Sequence, residues 1–173
     1  LLAMLRGAET QQSILEAIAR PAERVKPWHE YRAIFLTPER ISAGVLFWKQ
    51  HAAQLQRIET QTGVPKEILT GIIGVETFFG QRTGRYRLLD SLATLAFDYP
   101  PRSKFFRSEL TQLFLLARDE GVELDKALGS YAGAMGAPQF IPSSYRNFAV
   151  DGDGDGHRDL FGNWDDVLAS VAN

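Results

Sequence analysis

The 173-residue sequence predicts a mainly helical fold. Apolar residues recur at steps of three and four in several stretches, which is the period of an α-helix, whereas the alternating pattern of a half-buried strand is rare. The chain is 45% hydrophobic, with 11 Phe, 5 Tyr and 3 Trp, which is enough apolar surface for a buried core. No uninterrupted apolar run exceeds five residues, and a membrane-spanning helix needs about 20. We therefore expect a helix-rich globular chain without a transmembrane segment.

The first helices are predicted from capping residues and periodicity. Residues 10–19 form a short helix, and residues 28–35 are aromatic and irregular. A long helix begins at Thr37, whose side chain can cap the N-terminus, with Pro38 at the first helical position. It ends at Gly63, because glycine suits the left-handed position after a helix. One apolar face runs along it, formed by Ile41, Val45, Trp48, Ala52, Leu55 and Ile58.

A second strong helix opens at Pro65 and ends at Gly80. Its apolar face consists of Ile68, Ile72 and Val75. Residues 81–90 are basic and loop-like, with room for a short strand.

The remaining elements follow from the same periodicity. A short helix is predicted over residues 91–97, and an amphipathic helix over residues 103–120 before a glycine. Residues 124–131 are predicted to be helical, and residues 143–148 to form a helical turn. The last helix begins at residue 164 or 165.

Charge is divided unevenly along the chain. The formal net charge is −2, but residues 151–173 carry six acids and one base, so residues 1–150 are net positive. A nucleic-acid-binding protein would show a basic excess, and we expect no nucleic-acid partner. The absence of cysteine excludes disulfides, thiolate nucleophiles and cysteine-ligated metals.

The acidic segment matches the first nine positions of an EF-hand calcium loop. Carboxylates occupy positions 1, 3, 5 and 9, glycine occupies position 6, and position 7 offers a backbone carbonyl. These residues are Asp151, Asp153, Asp155, Asp159, Gly156 and His157. Four close carboxylates repel one another, at about 1 kcal/mol per pair 4 Å apart in a water-like dielectric, and a divalent cation relieves this repulsion.

The end of the loop departs from the EF-hand pattern. Position 12 is Gly162 in place of the bidentate glutamate, so Asp165 or Asp166 would have to complete the site. The alternative is a solvated acidic loop without a metal. A calcium sensor is a further alternative, but one loop after a short preceding segment favours a structural site.

Glu76 is the candidate general acid. It follows apolar residues near the C-terminal end of its helix, where partial burial and the negative end of the helix dipole both raise a carboxyl pKa. A general acid needs such a raised pKa at neutral pH. The alternative is a glutamate on a solvated face or paired with an arginine. Asp90 and Asp98 are the nearest downstream carboxylates, and neither has a distinguishing context.

Three motifs in order carry a family resemblance. Segments 71–77, 130–145 and 151–159, together with residues 170–173, strongly resemble the membrane-bound lytic murein transglycosylase B family. The resemblance covers nearly the whole chain. It implies a lysozyme-like α+β catalytic domain with an EF-hand-like calcium loop.

The resemblance also implies an activity. The family cleaves the β-1,4 bond between N-acetylmuramic acid and N-acetylglucosamine of peptidoglycan and leaves a 1,6-anhydromuramoyl end. Glu76 matches the single acid/base, and the substrate's acetamido group takes the place of a second carboxylate. The implied substrate-binding residues are Ser130, Gln139, Tyr31 and Arg102, with Tyr145 as an aromatic candidate. The implied calcium ligands are Asp151, Asp153, Asp155, the carbonyl of His157, and Asp166 in preference to Asp165, with Asp159 as a further candidate.

The resemblance implies an organisation and a location. Residues 1–62 would form an N-terminal helical region, 63–148 the catalytic core, and 149–173 the calcium loop and the start of the next helix. We expect the family's C-terminal part to be missing. The protein is expected to be a periplasmic monomer acting on peptidoglycan strands, with the full-length form associated with the outer membrane. Two alternatives remain: a hydrolytic lysozyme-type muramidase, and a non-catalytic calcium-stabilised peptidoglycan-binding module.

Overall fold

The computed structural model describes residues 2–20 and 26–173, and it is mainly helical. In chain order the elements are α1 Leu2–Arg6, α2 Gln12–Ala19, α3 Trp28–Phe35, α4 Pro38–Gln50, α5 Ala52–Thr62, α6 Lys66–Thr77, β1 Tyr86–Arg87, α7 Leu88–Asp98, a 3-10 helix Pro100–Arg102, α8 Ser103–Glu120, β2 Leu128–Gly129, α9 Pro142–Phe148 and α10 Trp164–Ala172. Strands β1 and β2 pair antiparallel. No helix in this described part is long and apolar enough to cross a membrane.

Backbone contacts divide the chain into two compact units, each drawn from separate stretches of sequence. The first unit comprises Leu1–Pro21, Thr83–Met135 and Gln139–Asn147, and the second comprises Ala22–Arg82, Gly136–Pro138 and Phe148–Asn173. These units interleave along the chain and do not follow the three consecutive segments predicted above. The functional division into those three segments stays a prediction.

The first unit is built around α7. This helix is buried from Leu88 to Ala96, including the polar residues Asp90, Ser91 and Thr94, and it packs against α8 and α2. The amphipathic helix α8 has the predicted bounds and ends at Gly121, which is left-handed. Its buried apolar residues are Phe106, Leu110, Leu113 and Leu116.

The second unit packs α4, α5, α6 and α10 together. Its core residues include Phe47, Leu55, Ile58, Leu69, Ile73, Val167 and Leu168. The predicted caps are present: the Thr37 hydroxyl accepts a hydrogen bond from the Arg40 N–H at 3.2 Å, and Gly63 is left-handed. The last helix begins at Trp164, as predicted.

Several local predictions were wrong. Residues 28–35 form a helix after the extended Pro27, and residues 124–131 contain a turn and β2 in place of a helix. The predicted long helix is interrupted at His51, whose ring contacts Phe47 and Trp164 at 4.5 and 5.0 Å between centroids. The contact with Trp164 joins residues far apart in sequence, and periodicity cannot reveal it.

The predicted apolar face of α6 is exposed. Ile68, Ile72 and Val75 are 54%, 38% and 46% exposed, whereas Leu69 and Ile73 are buried. Helix α6 thus carries apolar residues on two sides, and Gly74 is buried on the same side as Leu69 and Ile73. The helix also ends at Thr77, three residues before Gly80.

Candidate active site and metal loop

Glu76 lies one residue before the end of α6 and is accessible to solvent. Desolvation by surrounding protein atoms nevertheless raises the pKa of its carboxyl above the ordinary value. Over residues 2–20 and 26–173 no hydrogen bond or ion pair holds this carboxylate, so the alternative of pairing with an arginine is not observed there. An accessible carboxyl with a raised pKa can deliver a proton to a bound ligand.

The chain reverses directly after Glu76 in a turn of three left-handed residues. Phe78, Phe79 and Gly80 have φ values of 51°, 60° and 80°. Only glycine adopts this region without strain, so two consecutive phenylalanines there are unusual. Such backbone persists only where the surrounding structure holds it.

The Thr77 hydroxyl is one of the groups that hold this turn. It donates to the Ala137 carbonyl at 2.8 Å and accepts from the Gly80 N–H at 3.0 Å. Thr77 is fully buried. The hydroxyl therefore links the end of α6, the turn and the small-residue segment 136–138 of the same unit.

The Phe79 ring is the second group. Its tip lies in a notch formed by Gly44 of α4 and Gly74 of α6: a Cβ atom on either glycine would lie 2.9 or 2.7 Å from the ring's Cζ. Neither Thr77 nor Phe79 was singled out from the sequence. The glycines were the one available signal, because they permit a close approach of side chains to backbone.

Tyr31 also belongs to the second unit and lies on α3, half-buried. Its ring is 6.3 Å from that of Trp28 and 5.2 Å from that of Phe35. Trp28 is 70% exposed. The rings of Trp28 and Tyr31 form an aromatic surface of the kind that stacks on sugars. These surroundings suit a substrate contact, and the role of Tyr31 stays a prediction.

The other predicted substrate-binding residues lie in the first unit. The Ser130 Oγ accepts hydrogen bonds from the N–H groups of Ala132 and Ala134 at 3.2 and 3.0 Å, so this hydroxyl organises the small-residue loop. Gln139 has a φ of 55° and donates from Nε2 to the Thr83 carbonyl at 3.0 Å. Both side chains are half-buried.

Arg102 and Tyr145 have contrasting surroundings. Arg102 is exposed, with its guanidinium 4.3 Å from the Phe105 ring centroid, and it lines a surface depression of about 510 Å³. Tyr145 is 1% exposed and belongs to the core. A buried ring cannot stack on a sugar, and the structure therefore contradicts Tyr145 as a substrate contact.

The acidic loop belongs to the second unit and brings three predicted metal ligands together. One carboxylate oxygen from each of Asp151, Asp153 and Asp155 lies within 4.8 Å of the others. Asp151 accepts from the N–H groups of Gly154, Asp155 and Gly156 at 2.7, 3.2 and 2.9 Å. These hydrogen bonds, the one from Gly156 foremost, lower the pKa of Asp151. The loop therefore favours ionised, converging carboxylates.

The Asp166 carboxylate binds the backbone of the acidic loop from the buried side. It is fully buried, and its carboxylate accepts from the N–H groups of Gly152 and Asp159, both at 2.7 Å. Desolvation raises its pKa, and the nearby charges of Asp153 and Asp151 add to the rise. Its neighbour Asp165 contacts other partners, and Asp166 lies outside the group of three converging carboxylates, so its role as the final ligand stays a prediction.

Asp165 and Asp159 are engaged elsewhere. Asp165 accepts from Gln54 at 2.8 Å and pairs with Arg57. Desolvation raises its pKa, but these two contacts outweigh that effect and lower it. Asp159 accepts from the N–H groups of residues 161 and 162 at 2.8 and 3.1 Å and lies outside the group of three converging carboxylates.

The whole chain matches a known family. Residues 1–173 match the transglycosylase SLT domain. A curated relative, membrane-bound lytic murein transglycosylase B of Escherichia coli (strain K12), is 45% identical over 181 residues, which cover 98% of this chain and 49% of the relative. The chain therefore spans about half the length of that relative.

Solved structures give the same result. Soluble lytic transglycosylase SltB1 from Pseudomonas aeruginosa is 57% identical, with a TM-score of 0.93 over 99% of this chain and 58% of its own. Escherichia coli lytic transglycosylase Slt35, solved in complex with calcium, is 44% identical, with a TM-score of 0.91 over 99% and 54%. SltB3 from Pseudomonas aeruginosa, solved in complex with NAG-NAM-pentapeptide, is 34% identical, with a TM-score of 0.91 over 98% and 45%.

These matches confirm the predicted mainly helical, lysozyme-like fold class and the family resemblance. The chain belongs to the transglycosylase SLT domain family.

Proposed function

We propose that this chain is the catalytic part of a lytic transglycosylase that cleaves peptidoglycan strands, with Glu76 as the sole acid/base. The observation that carries the proposal is the state of Glu76: its carboxyl is accessible and unpaired within the described residues, and desolvation raises its pKa. Relatives with lytic murein transglycosylase names support the same reaction.

The chemistry proposed for Glu76 has two steps. The protonated carboxyl first donates its proton to the glycosidic oxygen as the bond to C1 of the muramic residue breaks, and the 2-acetamido group of that residue stabilises the positive charge. The Glu76 carboxylate then removes the proton from the muramic 6-hydroxyl, whose oxygen closes onto C1. Glu76 ends protonated again, and no water is consumed.

Substrate contacts are proposed for Ser130, Gln139, Tyr31 and Arg102. Ser130 and Gln139 shape a loop of strained and small residues, which lets backbone approach a sugar closely. Arg102 presents an exposed cation to an anionic wall polymer. SltB3, solved with NAG-NAM-pentapeptide, supports a peptidoglycan strand as the ligand.

A structural calcium ion is proposed for the acidic loop. The donors are all oxygens, as calcium prefers, and three carboxylates already converge. Asp151, Asp153, Asp155 and the carbonyl of His157 would hold the ion, while Asp166 would complete the site from the buried side. A bound ion would neutralise the repulsion among these carboxylates and stiffen the loop. The neighbour Slt35 was solved with calcium.

The proposed location is the periplasm, where peptidoglycan lies. The related Escherichia coli protein is named membrane-bound, and we propose that the full-length form of this protein is associated with the outer membrane. A monomer is proposed for the chain, because a single-acid mechanism needs no second copy.

The decisive test is the product released from purified sacculi by wild type and by Glu76→Gln. We expect wild type to release anhydromuropeptides, one water lighter than hydrolysis products by mass spectrometry. Removal of the general acid should lower the rate by about 10²- to 10⁴-fold. Glu67→Gln is the matched control, because it changes an exposed glutamate on the same helix.

Three results would reject the proposal. Reducing-end products would identify a hydrolytic muramidase instead. Sacculus binding without product release by wild type would favour a non-catalytic peptidoglycan-binding module. Equal product release by wild type and Glu76→Gln would exclude Glu76 as the acid/base.

A further inference from the structure

Two arginines lie against the ring of Phe78. The guanidinium carbon of Arg82 is 4.7 Å from the ring centroid, and that of Arg40 is 5.2 Å from it. All three residues belong to the second unit. Contact with an aromatic ring stabilises each cation, but it places two like charges around the same ring, close enough for the charge of Arg82 to act on Arg40.

Neither arginine has a carboxylate partner within residues 2–20 and 26–173. Arg40 donates from Nη1 to the Ile34 carbonyl at 3.0 Å, and its Nε is buried without an acceptor. Glu67 lines the same groove as Arg40 and pairs with neither arginine. A guanidinium has five N–H donors, so most of those of Arg40 and Arg82 stay available.

The arrangement is electrostatically unfavourable without an anion. Desolvation lowers the pKa of Arg40, and the charge of Arg82 lowers it further. Both groups stay ionised, because an arginine does not lose its proton in proteins. Glu76 forms no ion pair with either arginine within the described residues.

We propose that Arg40, Phe78 and Arg82 form a binding site for a carboxylate of the murein stem peptide. The planar guanidinium group pairs with both oxygens of a carboxylate, which a lysine cannot do. Phe78 follows Glu76 by two residues, so their Cα atoms are at most about 7 Å apart. An acidic substituent of a sugar bound at Glu76 can therefore reach the two arginines. This inference rests on the proposed function and adds a contact for the peptide.

The test compares an acidic with a neutral ligand. Calorimetry would measure the binding of NAG-NAM-pentapeptide and of the uncharged tetramer of N-acetylglucosamine to wild type and to Arg82→Gln. Arg82 is the exposed member of the pair, so its replacement leaves the packing intact. Lys49→Gln is the matched control, because it removes one exposed positive charge from α4 of the same unit.

We expect Arg82→Gln to weaken the pentapeptide ligand about tenfold, or about 1.4 kcal/mol, and to leave tetramer binding unchanged. Arg82→Lys should recover only part of the loss, and Lys49→Gln should change neither affinity. Equal effects of Arg82→Gln on both ligands, or no effect on either, would overturn the carboxylate site alone. If wild type binds neither ligand, the proposed function itself fails.

Discussion

The notch that holds Phe79 makes opposite predictions for two glycines of one helix. Gly71 and Gly74 both lie in α6, one turn apart. A Cβ atom at Gly71 would meet nothing within 4 Å, whereas one at Gly74 would lie 2.7 Å from the Cζ of Phe79. Gly71→Ala and Gly74→Ala therefore add the same methyl group to the same helix in different surroundings.

The structure sets the expected magnitudes. Alanine is favoured over glycine inside a helix by about 1 kcal/mol, so Gly71→Ala should raise the free energy of unfolding by about that amount. Gly74→Ala gains the same propensity but overpacks the notch, which costs about 1–3 kcal/mol. The ring cannot retreat toward α4, because Gly44 closes the notch from the other side. Subtracting one variant's free energy of unfolding from the other's cancels the helix propensity, so the difference should equal the overpacking cost.

Urea unfolding monitored by circular dichroism measures both variants against wild type. If the free energy of unfolding falls with urea concentration at the same slope in each protein, each exposes the same amount of surface on unfolding. A shift in the urea midpoint then reports a change in stability. We expect Gly74→Ala to be less stable than Gly71→Ala by about 1–3 kcal/mol. A difference below about 0.5 kcal/mol, the usual range of neutral surface changes, would show that Phe79 does not fill the notch.

Three further predictions concern the turn, the acid and the loop. Thr77→Val leaves the Ala137 carbonyl without its hydroxyl donor and should lower the free energy of unfolding by about 1–3 kcal/mol in urea unfolding, whereas Thr111→Val, at an exposed site, should change it little. Equal losses would contradict the proposed role of the hydroxyl. Because the raised pKa of Glu76 favours folding only while the carboxyl is protonated, Glu76→Gln should be the more stable protein at about pH 7, and this advantage should vanish toward about pH 4; a pH-independent difference would refute the shift. Calcium at 100 times its Kd should raise the free energy of unfolding by about 2.7 kcal/mol, measured by thermal unfolding. Asp155→Asn should need at least about tenfold more calcium for the same stabilisation. An unchanged melting temperature with calcium would contradict the proposed calcium site.

Local rules predicted the elements whose ends are set by their own sequence. Helix α8 carries its apolar stripe and its terminal glycine within 20 residues, and Thr37 caps α4 through its own side chain. The interruption at His51 lies at a ring contact with Trp164, which is far along the chain, and no local rule signals it. Periodicity alone therefore joined α4 and α5 into one helix.

The candidate site was likewise predictable only in part. Glu76 and the three converging aspartates of the loop could be found from residue type and spacing, because carboxylates at such positions have a chemical reason to be there. The buried state of Asp166 and the exposure of Ile72 depend on packing. An apolar stripe predicts that a helix face prefers to be covered, but which of two apolar faces is covered depends on its neighbours.

The turn after Glu76 links stability to the proposed chemistry. Left-handed backbone costs about 1–2 kcal/mol for each residue other than glycine, and Phe78 and Phe79 both adopt it. The hydroxyl of Thr77 and the glycine notch must offset this strain, so the end of α6 is held by side-chain packing as well as by helical hydrogen bonds. A displacement of about 1 Å at a catalytic group can lower a rate by about 100-fold. Gly74→Ala should therefore lose turnover on sacculi beyond what its unfolded fraction explains. Full activity per folded molecule would show that the notch does not determine the position of Glu76.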